Sequence, residues 1–378
     1  MLTLPPGEKH IMIVAGEASG DMHAAHLVKE IQKLNPNITF SGLGGQAMKS
    51  QGVVLYEDLT RIAVIGFVEV LKHYAEFKRI FNLFLQKAKE VRPAAVILVD
   101  YPGFNLRLAR ELKNLNIKII YYISPQVWAW KENRVEDIRK FTDKMLVLFQ
   151  FEEKFYAKRN LKVAFVGHPL IDLVESQTAN QPHSDPRKPL TIGILPGSRD
   201  KEINSLLPVM LEAASLLREQ LPPVEFLLLK APTISESLLQ KFTRAWSMPV
   251  TIVKKNIYQG IAQCDLCMVA SGTATLEVAL LNKPMVIVYK TSFLTWLLAK
   301  FLIKIPYIGL VNVVAQKKIV PECIQFDATG AKIARELLAI YQSPSKVSQI
   351  KAELAKVRSS LGQAGAGKRA AQEVLKEI

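Results

Sequence analysis

Two stretches of this chain, 11–166 and 190–288, alternate short apolar runs with segments of helical periodicity. In the first, 11–15, 38–43, 94–99, 118–123, 145–149 and 164–166 read as strands, and 22–34, 46–51, 62–71, 77–91, 106–115 and 134–141 as helices. In the second, strands at 190–195, 224–230, 250–253, 266–270 and 285–288 are separated by helical patterns at 202–219, 234–244, 257–263 and 274–281. Further helical patterns follow at 327–341, 345–360 and from 368 onward. A strand that is apolar at nearly every position must be covered on both faces, and a strand–helix–strand unit returns parallel by a right-handed crossover. The pattern predicts an α/β chain with two Rossmann-like, doubly wound parallel sheets. Between them 176–188 is polar and rich in Pro, Ser, Asn and Gln, and reads as a linker. The expected division is a first domain 1–175, the linker 176–188, a second domain 189–345 and C-terminal helices 346–378. With 378 residues, 49% of them hydrophobic, the chain has enough apolar material for two cores.

Ligands of such sheets bind beyond the carboxyl ends of the strands, and two sheets facing a central cleft place one ligand on each side. In the second half, Leu195-Pro-Gly-Ser-Arg199 and Ala270-Ser-Gly-Thr-Ala-Thr-Leu-Glu277 each join a strand to a helix. A small-residue turn there offers free backbone N–H groups at the positive end of a helix dipole, which suits a diphosphate. Arg199 adds a planar donor fork, and Glu277, one turn into its helix, suits a ribose diol.

In the first half, Gly16-Glu-Ala-Ser-Gly-Asp21 occupies the first strand-to-helix turn. It lacks the G-x-G-x-x-G order, and Gly42 and Gly44 stand where a ribose-binding acid would be expected after the second strand, so a nicotinamide oxidoreductase is disfavoured. Glu17 and Ser19 suit contacts to a hydroxylated ligand; Asp21 is either such a contact or a helix cap. Asp100 ends an apolar strand in Asp100-Tyr-Pro-Gly-Phe-Asn105, as a general base or a turn former. In Ser124-Pro-Gln-Val-Trp-Ala-Trp130 the tryptophans either line a sugar or acyl site or cover the core. His168, in Gly167-His-Pro169, is a ligand contact or a hinge residue.

Other classes fall away. Gly362-Gln-Ala-Gly-Ala-Gly-Lys368 has Arg369 where a P-loop needs Ser or Thr, and no strand precedes it. Cys264 and Cys267 form a lone C-x-x-C without a second pair, and the histidines show no metal-binding spacing, so no metal or cofactor is expected. The N-terminus carries no signal-peptide pattern. The greasy stretch 292–314 is broken by Lys300, Lys304 and Pro306; it suits an interfacial helix or a buried one with snorkelling lysines, rather than a membrane span. The net charge of +15 implies anionic partners or simple solubility, with no nucleic-acid-binding motif to favour RNA or DNA.

Taken in order, Val14-Ala-Gly-Glu-Ala-Ser-Gly-Asp21, Asp100-Tyr-Pro-Gly-Phe-Asn105, Tyr122-Ile-Ser-Pro-Gln-Val-Trp-Ala-Trp130, Phe165-Val-Gly-His-Pro169, Leu195-Pro-Gly-Ser-Arg199, Ala270-Ser-Gly-Thr-Ala-Thr-Leu-Glu277, Asn312 and Pro321-Glu-Cys-Ile-Gln325 resemble the lipid-A-disaccharide synthases over nearly the whole chain. The resemblance implies a GT-B glycosyltransferase that joins UDP-2,3-diacylglucosamine to 2,3-diacylglucosamine 1-phosphate with inversion, in lipopolysaccharide biosynthesis of Gram-negative cells. It implies Asp100 and Glu17 as catalytic carboxylates, and Ser19, Asp21, Asn105 and Trp128 as acceptor contacts. Ser198, Arg199, Ser271, Gly272, Thr273, Glu277, Asn312 and Gln325 are then the UDP contacts, with no metal. Peripheral attachment to the cytoplasmic face of the inner membrane follows, as does a homodimer that exchanges C-terminal helices or a monomer in which they pack back on the first domain. The greasy segments 62–85 and 292–314 then meet acyl chains or the bilayer. Gln316-Lys-Lys318 stands where the family usually carries a glycine. Two alternatives remain on the residues alone: another UDP-sugar enzyme such as a UDP-N-acetylglucosamine epimerase, and a non-catalytic lipid- or nucleic-acid-binding protein.

Overall fold

The computed structural model describes residues 9–63, 74–129, 132–178, 189–221, 223–246, 249–293, 296–297 and 305–378. Two compact units emerge: Met1–Pro169 with Gly362–Ile378, and Leu170–Leu361. The first holds seven parallel strands, β1 (Lys9–Ala15), β2 (Ile38–Gly44), β3 (Val54–Asp58), β4 (Ala95–Val99), β5 (Ile119–Tyr122), β6 (Lys144–Val147) and β7 (Ala164–Phe165). Their order is β3-β2-β1-β4-β5-β6-β7, so the direction of winding reverses between β1 and β4. The second holds β8 (Leu190–Leu195), β9 (Val224–Leu229), β10 (Thr251–Val253), β11 (Leu266–Ala270), β12 (Met285–Tyr289) and β13 (Glu322–Ile324), also parallel, in the order β10-β9-β8-β11-β12-β13. Its reversal lies between β8 and β11. Both sheets are doubly wound, as the alternation of elements requires.

Central strands are buried throughout. Ile11 to Ala15 and Ala95 to Val99 are all fully enclosed. Because successive residues point to opposite faces, Met12 and Val14 join Val96, Leu98 and Phe84 in one core, while Ile11 and Ile13 face the other way. Each such aliphatic side chain contributes about 1.5–3 kcal/mol by leaving water.

The tail divides between the units. The helix Pro344–Ser360 buries Ile350, Leu354 and Val357 in the second unit, whereas Ala366–Leu375 packs on Ala18–Leu34 of the first. Glu373 pairs with Lys144 at 2.6 Å, and Arg369 Nε donates to the Val166 carbonyl at 2.8 Å. Arg369 thus ties the tail to the end of β7.

Several elements differ from the sequence reading. The edge strands β3 and β13 were not anticipated, nor were the helices Gln150–Ala157 and Leu170–Thr178; of the helix read over 292–314, residues 294–295 and 298–304 lie outside the described residues, and Leu310–Ala315 is a short helix at its end. Val54–Asp58 is only half-buried and β13 has three residues, so neither carries the continuous apolar run that marks a central strand. The expected helix at 62–71 and most of the linker 176–188 fall largely outside the described residues. Gln316 ends the helix Leu310–Ala315 in the left-handed region (φ 55°) and donates its N–H to the carbonyls of Asn312 and Val313, the conformation a C-terminal glycine ordinarily takes.

Candidate active site

In the first unit, the turns after β1 and β4 meet where the winding reverses. Glu17 and Ser19 are exposed at the start of the helix Ala18–Leu34. Asp100 ends β4. Burial pushes its carboxyl up to about 6, and the neighbouring Glu17 charge adds to the shift; a backbone bond at Tyr101 opposes it. The Tyr101 ring lies across the first turn so closely that a Cβ on Gly16 would stand 2.3 Å from Tyr101 Cδ1, so only glycine fits there. Tyr101 is likewise raised, by burial and then by Glu17.

Other first-unit residues turn away from this point. Asp21 is buried and accepts from the N–H groups of Gly45 (2.7 Å), Ala47 (2.9 Å) and Met48 (3.2 Å). It therefore caps the short helix Gln46–Ser50 of the next turn rather than its own helix, and its carboxylate is spent on the backbone. Asn105 is fully buried and donates to the carbonyls of Val99 and Asp100, a backbone role in place of a ligand contact. Trp128 is half-buried; its indole N–H donates to Glu152 at 3.2 Å and its ring meets Phe151 edge-on. Glu152 also accepts the Phe149 N–H at 3.1 Å, and burial lifts its carboxyl to about 7. His168 is buried against Phe149, and burial, with His23 nearby, pushes it down to about 3, so it is uncharged at neutral pH. Trp130 lies outside the described residues.

Removing the Asp21 carboxylate strands three backbone donors. Asp21→Ala is expected to cost roughly 3 kcal/mol, lowering Tm by about 6–12 °C. At saturating substrate, kcat should stay within about threefold of the parent. Thermal unfolding beside steady-state rates checks this; a large kcat loss in a protein of unchanged Tm would return Asp21 to ligand contact.

In the second unit, the turns after β8 and β11 meet at the other reversal. Gly197 adopts φ 118°, a conformation open to glycine, and Arg199 precedes the 21-residue helix Asp200–Gln220. Glu202 was not anticipated. Its carboxylate accepts the Ser198 N–H at 2.8 Å and Arg199 Nη1 at 3.2 Å, joining the turn to the helix as a capping glutamate does. The signal was present in the sequence: an acid three residues after Arg199, at the third helical position. After β11, Gly272 and Thr273 are exposed, but Ser271 is committed, its Oγ donating to the Ile308 carbonyl at 3.0 Å. Glu277 Oε1 accepts from Tyr258 Oη at 3.0 Å; burial raises the Glu277 carboxyl, opposed by that bond.

Asn312 and Gln325 are structural. Asn312 is fully buried; it donates to the Val320 carbonyl and Glu322, and accepts from the N–H groups of Ile319 and Val320. Gln325 both accepts from and donates to the Thr291 backbone, at 3.1 and 3.0 Å. The four bonds of Asn312 take up the whole capacity of its amide inside the fold, and Gln325 uses one donor and one acceptor on the Thr291 backbone. Among the described residues no cluster of His, Cys, Asp and Glu is arranged to hold a metal ion.

Residues 11–377 match the model of the lipid-A-disaccharide synthetase family. The chain is 42% identical over 373 residues to a lipid-A-disaccharide synthase of Geobacter sulfurreducens, covering 97% of each, and 37% identical over 371 residues to one of Coxiella burnetii, covering 97% of this chain and 98% of that one. In architecture it is similar to a UDP-GlcNAc 2-epimerase from Neisseria meningitidis bound to UDP-GlcNAc (TM-score 0.65, 12% identity, 97% of this chain and 100% of that one). It is also similar to CalG4, the calicheamicin glycosyltransferase (TM-score 0.61, 14% identity, 98% of both chains). These share the GT-B type of fold. The ordered motifs and the full-length match agree: the chain belongs to the lipid-A-disaccharide synthetase family.

Proposed function

We propose that this member of the family, a glycosyltransferase of lipid A disaccharide formation, joins UDP-2,3-diacylglucosamine to 2,3-diacylglucosamine 1-phosphate through a β-1,6 bond with inversion, releasing UDP. The observation that carries the reading is the carboxylate of Asp100 at the carboxyl end of β4, beside Glu17, with its pKa raised to about 6. A base poised there is charged at neutral pH yet binds a proton more readily than an ordinary aspartate. Asp100 takes the proton of the acceptor's 6-hydroxyl as that oxygen attacks the anomeric carbon, and the bond to UDP breaks with its electrons leaving on the diphosphate. Glu17 and Ser19 orient the acceptor, and Trp128 lines its approach. Arg199, Ser198 and the Gly272–Thr273 turn meet the diphosphate and stabilise its developing charge. Glu277, held by Tyr258, accepts from the ribose.

Phe293 and Phe326 are 60% and 67% exposed and stand with Trp296 as a surface aromatic cluster, ring centroids 5.3–6.4 Å apart. Beside lysine-rich sequence, such a cluster supports peripheral attachment to an anionic membrane face, which we assign to the cytoplasmic side of the inner membrane. No helix among the described residues is long and apolar enough to cross a membrane.

The test is UDP release from UDP-2,3-diacylglucosamine in mild detergent and EDTA, with and without the acceptor. Acceptor-dependent release with a disaccharide phosphate as product is expected. Consumption of UDP-N-acetylglucosamine with no disaccharide would replace the reading with an epimerase.

A further inference from the structure

Asp100 and Tyr101 are consecutive left-handed residues, at φ 46° and 47°. Aspartate visits this region more readily than most residues but tyrosine does not, and a consecutive pair persists only where its surroundings over-determine it. Here the surroundings converge on the backbone of one residue. The Asp100 N–H donates to the Tyr122 carbonyl at 3.0 Å. The Asp100 carbonyl accepts two side-chain donors, Tyr121 Oη and Asn105 Nδ2, the latter at 2.8 Å. Asn105 Nδ2 also reaches the Val99 carbonyl at 3.1 Å, so one amide spans the last strand residue and the first turn residue. Tyr121 and Asn105 are both fully buried, and Asn105 Oδ1 has no protein partner. Core filling alone explains neither buried polar group, since an apolar side chain fills space without desolvating an oxygen.

We propose that Tyr121 and Asn105 are positioning residues: together they clamp the Asp100 carbonyl and hold the left-handed pair that aims the Asp100 carboxylate beside Glu17. The inference rests on Asp100 being the base. The clamp links two elements, β5 through Tyr121 and the helix Pro102–Lys113 through Asn105, to the base on β4. It also sets Tyr101 on Gly16, so the two turns at the reversal of the first sheet are locked together. Conformational strain is thereby spent on pre-organising a reacting group. The titratable groups around the base are Glu17, Tyr101 and Tyr121, with Arg134 acting on Tyr121.

Tyr121→Phe keeps the ring in the core and deletes one donor. The experiment reads acceptor-dependent UDP release by the full-length chain from pH 5 to 9, for Tyr121→Phe and Asp100→Asn, with Tm and calorimetric UDP affinity for each. For Tyr121→Phe, kcat should fall about tenfold, with acceptor KM and UDP affinity unchanged within about twofold. The acid limb should move down by about half a pH unit or more, because a released carboxylate turns toward water and its pKa falls. A lower kcat with an unmoved acid limb makes Tyr121 merely structural and overturns the clamp. Normal kcat in Tyr121→Phe with an inactive Asp100→Asn also overturns the clamp while leaving the base in place. Normal turnover in Asp100→Asn removes the base and the clamp with it. Should Tyr121→Phe unfold, Asn105→Ala reads the other arm of the clamp by the same criteria.

Discussion

Asp100→Asn is expected to lower kcat by about 10²–10⁴-fold, the span of positioned general-base catalysis, while UDP binds as before. The amide keeps the size of the side chain and loses only the ability to take a proton, so substrate affinity is not the quantity at risk. The parent enzyme carries a matching pH signature. Its Asp100 has a pKa of about 6, raised first by burial and then by Glu17, so kcat/KM should fall away below that pH as the base is protonated. The same shift has a stability sign. A carboxyl raised in the folded state binds its proton more tightly folded than unfolded, so its cost is absent below the ordinary value of 3.8 and fully present above about 6. Asp100→Asn removes that cost and should stabilise the protein at pH 7 by up to roughly 3 kcal/mol, with the advantage gone near pH 4. Urea unfolding at the two pH values, beside kcat, checks both halves. An inactive variant with no stability gain at pH 7 would locate the loss elsewhere than in an uncharging of this site.

Arg199→Ala is expected to cost about 10²–10³-fold in kcat/KM, the loss typical of one donor to a developing anion. The side chain is 74% exposed and its ion pair with Glu202 runs along the helix surface, so little stability depends on it. What depends on it is the diphosphate. Arg199→Lys keeps the charge and loses the planar fork, and should fall between parent and Ala. Calorimetry separates the roles: UDP should weaken in Arg199→Ala, whereas uridine, which has no diphosphate, should bind as to the parent. Equal weakening of both ligands would place Arg199 at the nucleoside or assign it to the shape of the turn.

Glu202 bears on the same experiment. In the free protein it holds the Ser198 N–H and Arg199, the two donors the diphosphate is proposed to meet. A charged group placed three residues past the turn is an ordinary capping acid by its spacing, and nothing in its position along the chain shows that it occupies the donors of the candidate site.

Fold class was legible because it rests on periodicity. Unbroken apolar runs of five or six residues, each followed by a helical pattern, have one economical solution, a parallel sheet covered on both faces. The topology then places the turns after β1, β4, β8 and β11 at the two reversals, which is why Glu17, Asp100, Arg199 and Gly272 stand at strand ends. Of the four edge strands, β7 and β10 were legible, whereas β3 escaped because it is only half-buried and β13 because it has three residues, so neither carries a continuous apolar run. The direction of individual polar side chains was another matter. Asp21, Asn105, Asn312 and Gln325 sit in the same motifs and carry the same chemistry as binding residues do, yet each bonds backbone groups: Asp21 those of Gly45 to Met48, Asn105 those of Val99 and Asp100, Asn312 that of Val320 beside Glu322, Gln325 that of Thr291. A buried polar atom takes whichever partner the packed chain brings within 3 Å, and for Asp21 and Gln325 that partner lies more than twenty residues away. Local pattern sets which elements form and in what order; the assignment of a side chain to ligand or to backbone is made when those elements pack.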